Sequence, residues 1–175
     1  MARAIDRRSR GSITESIKGR SIGALLVFLV VTAVAGFIGN RLNSTSDDSW
    51  YASLDKPPFN PPSWVFGVVW PILYLFMAVA GWLVWRRGSE KSEVKTATTL
   101  FGIQLGLNVL WTALFFTARA PFVALVEIGA LWAAIFAWMW QSAKVDSRTR
   151  LLILPYLAWT SFAALLNASI RWLNR

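Results

Sequence analysis

The sequence predicts an all-α membrane protein, a bundle of five transmembrane helices, and three observations carry that prediction. With 55% hydrophobic residues, 15% charged residues and a mean hydropathy of +0.47, the 175-residue chain lacks the polar surface that a soluble globule of its size exposes. The apolar residues gather into five runs, each near the roughly 20 residues that cross a hydrocarbon core. Eleven Trp, eleven Phe and three Tyr exclude a disordered or fibrous chain.

Residues 1–20 mix Arg, Ser and Gly with a few aliphatics and show no sustained helical period, so they read as a basic, flexible tail ahead of a five-helix domain over 21–175. The first span, about 22–39, is long for a signal-peptide core and has no small-x-small cleavage site before Arg41; it is expected to stay as a helix. Spans follow at about 64–85, 97–116, 121–140 and 151–170. The later connections are short, which places consecutive helices antiparallel. The first, 41–63, is the exception, and long connections in compact domains are often functional.

Charge position sets the topology. Of the 18 Lys and Arg, 13 lie before the first span, after the second or after the fourth, while Arg41, Lys56, Arg119, Arg171 and Arg175 lie on the other side. The positive-inside rule then puts the N-terminus in the cytoplasm and the C-terminus outside, in a bacterial-type cell membrane. The same distribution accounts for the net charge of +9 without a nucleic-acid partner, because the cations flank apolar runs instead of forming one basic face. With no Cys and no His, the chain cannot form disulfides, thiolate or imidazole metal sites, or a His-dependent triad, and neither a metal nor a cofactor is expected.

The first loop ends in Pro57-Pro58-Phe59-Asn60-Pro61-Pro62-Ser63-Trp64. Four prolines stiffen it, and Trp50, Tyr51, Phe59 and Trp64 give it an apolar side. Two readings stand: a lid over a pocket, or an interfacial aromatic belt followed by a helix start.

Three blocks carry a resemblance. They are Trp50-Tyr51-x-x-Leu54-x-Lys56-Pro57 through Pro61-Pro62-x-Trp64-x-Phe66-x-x-x-Trp70-x-x-x-Tyr74, Gln104-Leu105-x-Leu107-Asn108-x-x-Trp111-x-x-x-Phe115-Phe116, and Pro155-Tyr156-x-x-Trp159-x-x-Phe162-Ala163-x-x-Leu166-Asn167. In this order across five spans, over about residues 22–174, they resemble the tryptophan-rich sensory protein and translocator protein family (TspO/MBR, the peripheral-type benzodiazepine receptors). The resemblance implies a homodimeric five-helix bundle whose pocket opens towards the first loop and takes porphyrins, cholesterol or synthetic isoquinoline and benzodiazepine ligands. By position it implies a ligand site of Trp50, Trp70, Asn108, Trp111, Trp159, Ala163, Leu166 and Asn167. The spacing agrees: Asn108 with Trp111, and Trp159 with Ala163 and Leu166, each share one helix face. Ring faces can stack on a flat macrocycle while amide and indole N–H groups meet its polar substituents.

Other sequence features pull both ways. Trp82, Trp85, Trp132, Trp138, Trp140 and Trp172 mostly fall near span ends and read as packing or belt residues. Asn108 and Asn167 fit interhelical hydrogen bonding as well as ligand contact. Glu127 is the one acid inside a span, a functional candidate or a structural partner for a neighbouring helix. Gly102 and Gly106, four apart, would let two copies approach closely, and the resemblance places them at a dimer seam. Phe59 stands where the family usually has Trp, and Ala168 stands at the Tyr position of the cholesterol-recognition pattern, so weak sterol binding is expected.

The leading function is a receptor or regulator binding a protoporphyrin IX-type tetrapyrrole. The alternatives are a transporter of tetrapyrroles or sterols, and a light-dependent porphyrin-degrading enzyme with Trp70 or Trp159 as the oxidisable residue.

Overall fold

A computed structural model describes residues 2–43 and 50–175, with side chains from residue 21 onward. The described chain is helical: α1 (Ala2–Leu42), a four-residue α2 in the first loop (Trp50–Ser53), α3 (Ser63–Trp85), α4 (Ser92–Thr112) continuing into a π-helical turn (Ala113–Thr117), α5 (Pro121–Val145) and α6 (Thr149–Leu173). Five segments are long and apolar enough to cross a membrane: Ser21–Leu42, Ser63–Trp85, Ser92–Thr117, Pro121–Val145 and Thr149–Leu173. They coincide with the five predicted spans. The first helix differs from expectation by starting at Ala2 instead of about residue 22. No Pro interrupts 2–20, and helix-forming Ala and Arg recur there, so backbone propensity sustains a helix that carries no amphipathic signal.

The ends of the elements follow local chemistry. Pro62, in an extended conformation (φ −56°, ψ 147°), ends the loop and admits α3 at Ser63. Pro121 occupies the first turn of α5, where its missing N–H costs nothing. Between α3 and α4 the chain reverses at Gly88, whose φ of +119° excludes a Cβ. Between α4 and α5 it reverses at Arg119, a left-handed residue with φ 52°.

The helices close a ring in the order α1, α3, α6, α5, α4, with α4 returning to α1. In the half away from the first loop the core is filled by aliphatic and aromatic side chains. Trp138 is fully buried with its ring 5.4 Å from Phe101, which in turn lies 5.2 Å from Phe28, both edge-on. Gly81 makes room for that contact: a Cβ there would lie 2.7 Å from the Phe28 ring. Trp138 is thus a core residue, as expected, whereas Trp132, Phe136 and Trp140 form an exposed stacked ladder on the outer face of α5.

At this end Asp146, with 2% of its side chain exposed, accepts hydrogen bonds from Arg148 (Nη2 2.7 Å, Nε 2.9 Å) and from Arg87 (Nη2 2.8 Å, Nε 3.1 Å). The Arg148 guanidinium, helped by Arg87, holds the Asp146 carboxyl well below the usual carboxylate range despite burial. One acid therefore staples the α3–α4 turn to the α5–α6 turn.

Candidate ligand site

The lid-side half is organised around one amide. Tyr74 on α3 donates its hydroxyl to Asn108 Oδ1 (2.8 Å), and Asn108 Nδ2 on α4 donates to the Tyr156 hydroxyl on α6 (3.0 Å). α1 permits this through a missing side chain. A Cβ on Gly36 would meet the Tyr74 ring at 2.9 Å, so only glycine lets Tyr74 lie where its hydroxyl reaches Asn108. Four helices meet at this link, and Asn108 acts as an interhelical bridge. Each such bond contributes about 0.6–2 kcal/mol inside a membrane.

Two aromatic clusters flank the bridge. On the α3–α6 side Trp70 sits 5.6 Å from Tyr74 and 6.4 Å from Tyr156, while Trp159 meets Phe66 at 5.7 Å and Phe162 at 5.5 Å. The loop joins this cluster through Phe59, 6.3 Å from Phe162. On the α4 side Trp111 stacks on Phe115 at 5.4 Å, and Trp50 and Tyr51 close on Phe115 at 5.8 Å and 6.1 Å. The π-helical turn, closed by a 2.8 Å bond from Ala118 N–H to the Ala113 carbonyl, sets Phe115 and Phe116 4.8 Å apart, and Tyr51 rests on both. Wide turns of this kind are frequent at functional sites.

The loop is fastened as well as stiff. Tyr51 donates to Asn60 Oδ1 (2.9 Å), and Lys56 donates to the carbonyls of Leu54 and Ala52 (3.0 and 3.2 Å) while lying 4.9 Å over the Tyr51 ring. Burial pushes the Tyr51 hydroxyl above its usual phenol range. The side chain of Asn174, just past α6, accepts from the Asp55 N–H (3.0 Å) and donates to the Asp55 carbonyl (2.9 Å), copying a pair of backbone bonds. Of the two readings of this segment, the ring and amide contacts describe a cover packed on α4 and α6.

Several buried polar atoms have no hydrogen-bond partner among the described residues: both amide atoms of Gln104, Trp111 Nε1, both carboxyl oxygens of Glu127 and Asn167 Oδ1. Buried polar groups are normally satisfied, so these mark where water or a ligand would be held. Asn167 spends its other amide atom on the Pro121 carbonyl (2.9 Å), tying α6 to the start of α5.

The predicted site residues all lie in this half, on separate walls. Trp50 and Trp111 meet through Phe115, Trp70 reaches Tyr156, and Trp159 belongs to the Phe66–Phe162 wall. Leu166 and Asn167 are buried, Ala163 half-buried. The concave surface here, a cleft of about 450 Å3 between α3 and α6, is lined by Val69, Ile72, Leu73, Phe76, Pro155, Ala158, Trp159 and Phe162, so Trp159 alone of the predicted set borders it. A second concavity, of about 460 Å3, is lined by residues of the α3–α4 turn and the first turns of α4, at the opposite end. Sequence reading missed Gly36, Tyr74 and Tyr156 as parts of the site. The signal for the tyrosines was their register: Tyr74 is one turn after Trp70, and Tyr156 three residues before Trp159. Gly102 and Gly106 are exposed on the outer face of α4, with nothing within 4 Å of an added Cβ.

Fold and site together define a multi-pass helical membrane protein whose aromatic, amide-bridged half lies beneath a proline-stiffened cover. The profile of the TspO/MBR family matches residues 27–173, and the chain belongs to that family. It is similar to the tryptophan-rich protein TspO of Chlorobaculum tepidum, 39% identical over 155 residues that cover 89% of this chain and 98% of that one. It is also similar to the translocator protein of Ovis aries, 38% identical over 144 residues (80% and 83% covered), and to the tryptophan-rich sensory protein of Cereibacter sphaeroides, 34% identical over 148 residues (85% and 91% covered).

Proposed function

We propose that this protein is a membrane receptor or regulator that binds flat hydrophobic ligands, with protoporphyrin IX-type tetrapyrroles as the leading class, beneath the first loop. The observation that carries the reading is the pairing of two ring-lined walls with unpartnered polar atoms inside the same half of the bundle. A macrocycle has faces for the rings and edge groups for Trp111 Nε1 and the amides. The absence of His and Cys from the sequence argues against metal or thiol chemistry and leaves binding as the main task, with light-driven oxidation through Trp70 or Trp159 and transport as the other readings. The outward Gly102–Gly106 face is the proposed seam of a homodimer, and the charge distribution orients the N-terminus to the cytoplasm. Sterol affinity is expected to be weak, because Ala168 lacks the hydroxyl of the recognition pattern.

The test is a dark titration of the detergent-solubilised protein with protoporphyrin IX, following Trp fluorescence, alongside Trp70→Phe and Trp159→Phe. Saturable quenching in the micromolar range, weakened in either variant, is the expected result. Linear quenching identical in all three proteins would mean partition into the micelle and would remove the tetrapyrrole reading.

A further inference from the structure

We propose that the ligand of this site enters sideways from the hydrocarbon of the bilayer, through the cleft between α3 and α6, while the first loop stays fastened. The proposal rests on the ligand-site reading above and adds to it a route of access.

Three observations carry it. First, the cleft is continuous with the site, because Trp159 and Phe162 line the cleft and also form the aromatic wall that Phe66 and Phe59 complete. Second, its chemistry suits an apolar passenger. Every lining side chain is apolar or aromatic, and Ile72, Pro155 and Ala158 are exposed at its mouth on two membrane-spanning helices. Hydrocarbon or a flat hydrophobic ligand wets such a surface and water does not. Third, each wall contains an internal proline, Pro71 in α3 and Pro155 in α6. Each removes the amide that would bond the carbonyl four residues earlier, at Gly67 and Leu151, which loosens the helix where the two walls must part.

The aqueous side is held shut by comparison. The Asn174 amide grips both backbone groups of Asp55, Pro57 is buried, and Phe59 packs on Phe162. Entry from water requires all of these contacts to be released together, whereas entry from the bilayer needs only displacement of side chains along the α3–α6 seam.

The absence of Cys from the chain allows a clean test. Asp55→Cys with Asn174→Cys, joined by a short thiol-reactive cross-linker, locks the loop. Ala158→Trp plugs the cleft from α6, and Ile72→Trp plugs it from α3 should the first variant fail to fold. Each protein is reconstituted in phosphatidylcholine vesicles preloaded with protoporphyrin IX in the bilayer or mixed with vesicles carrying it, and association and dissociation are followed by stopped-flow Trp quenching. Lateral entry predicts a locked protein whose association rate stays within about twofold of the uncross-linked one. It predicts a plugged protein in which association and dissociation both slow about tenfold while Kd changes little. Slowing by the lock, or unchanged rates in the plugged protein, overturns the inference, as does a Kd raised in proportion to the loss of association rate. Failure of the underlying site reading looks different: the unmodified protein itself would show no saturable quenching.

Discussion

The two halves of the bundle both bury large aromatic rings, and they do so under different rules. Away from the first loop Trp138 is fully enclosed by Phe101 and aliphatic neighbours, and the polar work at that end is done at the bundle edge by Asp146 and its two arginines. At the centre and beneath the loop Trp111 is also buried, but six of the seven buried side-chain polar atoms without a partner among the described residues lie on Gln104, Trp111, Glu127 and Asn167. Trp138 is accounted for by packing alone, while Trp111 Nε1 is one of several buried polar atoms without a partner among the described residues, which is the feature the proposed ligand site draws on. Indole content alone does not separate the two halves; the satisfaction of their buried polar atoms does.

The comparison predicts distinct responses to substitution. The largest belongs to the apolar half. Trp138→Ala should cost about 3–5 kcal/mol by leaving a cavity, read as a large fall in thermal midpoint in detergent, while the fraction that stays folded keeps its porphyrin affinity. Asn108→Leu should cost less, about 1–3 kcal/mol, since two tyrosine hydroxyls lose their bridge, yet it should weaken ligand binding by tenfold or more as α3, α4 and α6 lose register. If Asn108→Leu leaves both properties intact, the lid-side half is ordinary core and the contrast collapses.

Smaller effects sharpen it. Asp146 is held below its unfolded carboxyl value, so its contribution to stability is fully present above pH of about 4 and is lost as pH falls through the depressed folded value. Asp146→Asn should therefore lower the thermal midpoint at neutral pH and flatten its decline below pH of about 4, with ligand affinity unchanged, as shown by melting curves carried from neutral pH down to about pH 2. The mildest change in stability is expected for Trp159→Phe, under about 1 kcal/mol because an aromatic face remains, together with a several-fold loss of porphyrin affinity.

Much of this was legible in the sequence because the bilayer imposes a length and a polarity on each span, and the five runs had only to be found. Trp111 and Asn167 were legible as buried site candidates through motif position. Interhelical bonding by Asn108 was legible as one of two readings, but its partners Tyr74 and Tyr156 were not, because they come from other helices and depend on the ring order α1, α3, α6, α5, α4. Gly36 reads as one more small residue until the Tyr74 ring is placed against it. The Asn174 grip on Asp55 joins residues 119 apart through backbone groups and leaves no side-chain pattern to read. The start of α1 at Ala2 was missed because amphipathic periodicity was the signal sought, and a helix sustained by propensity alone does not show it.

The wide turn at Ala113–Thr117 has a consequence for how this chain tolerates changes in length. A π-helical turn holds one residue more than the α-helical turn it replaces, and a helix advances about 100° per residue. Deleting one residue within 113–117 would let α4 run on as an unbroken α-helix into the Arg119 reversal, with nothing upstream disturbed. Residues beyond the turn would keep their aim, because an α-helical turn completes the same revolution with one residue fewer; only the rings within the turn, Phe115 and Phe116, would shift against Tyr51. The segment therefore works as a register clutch: single-residue gains and losses can be absorbed there without unfolding the span, and each would re-aim the rings beneath the cover.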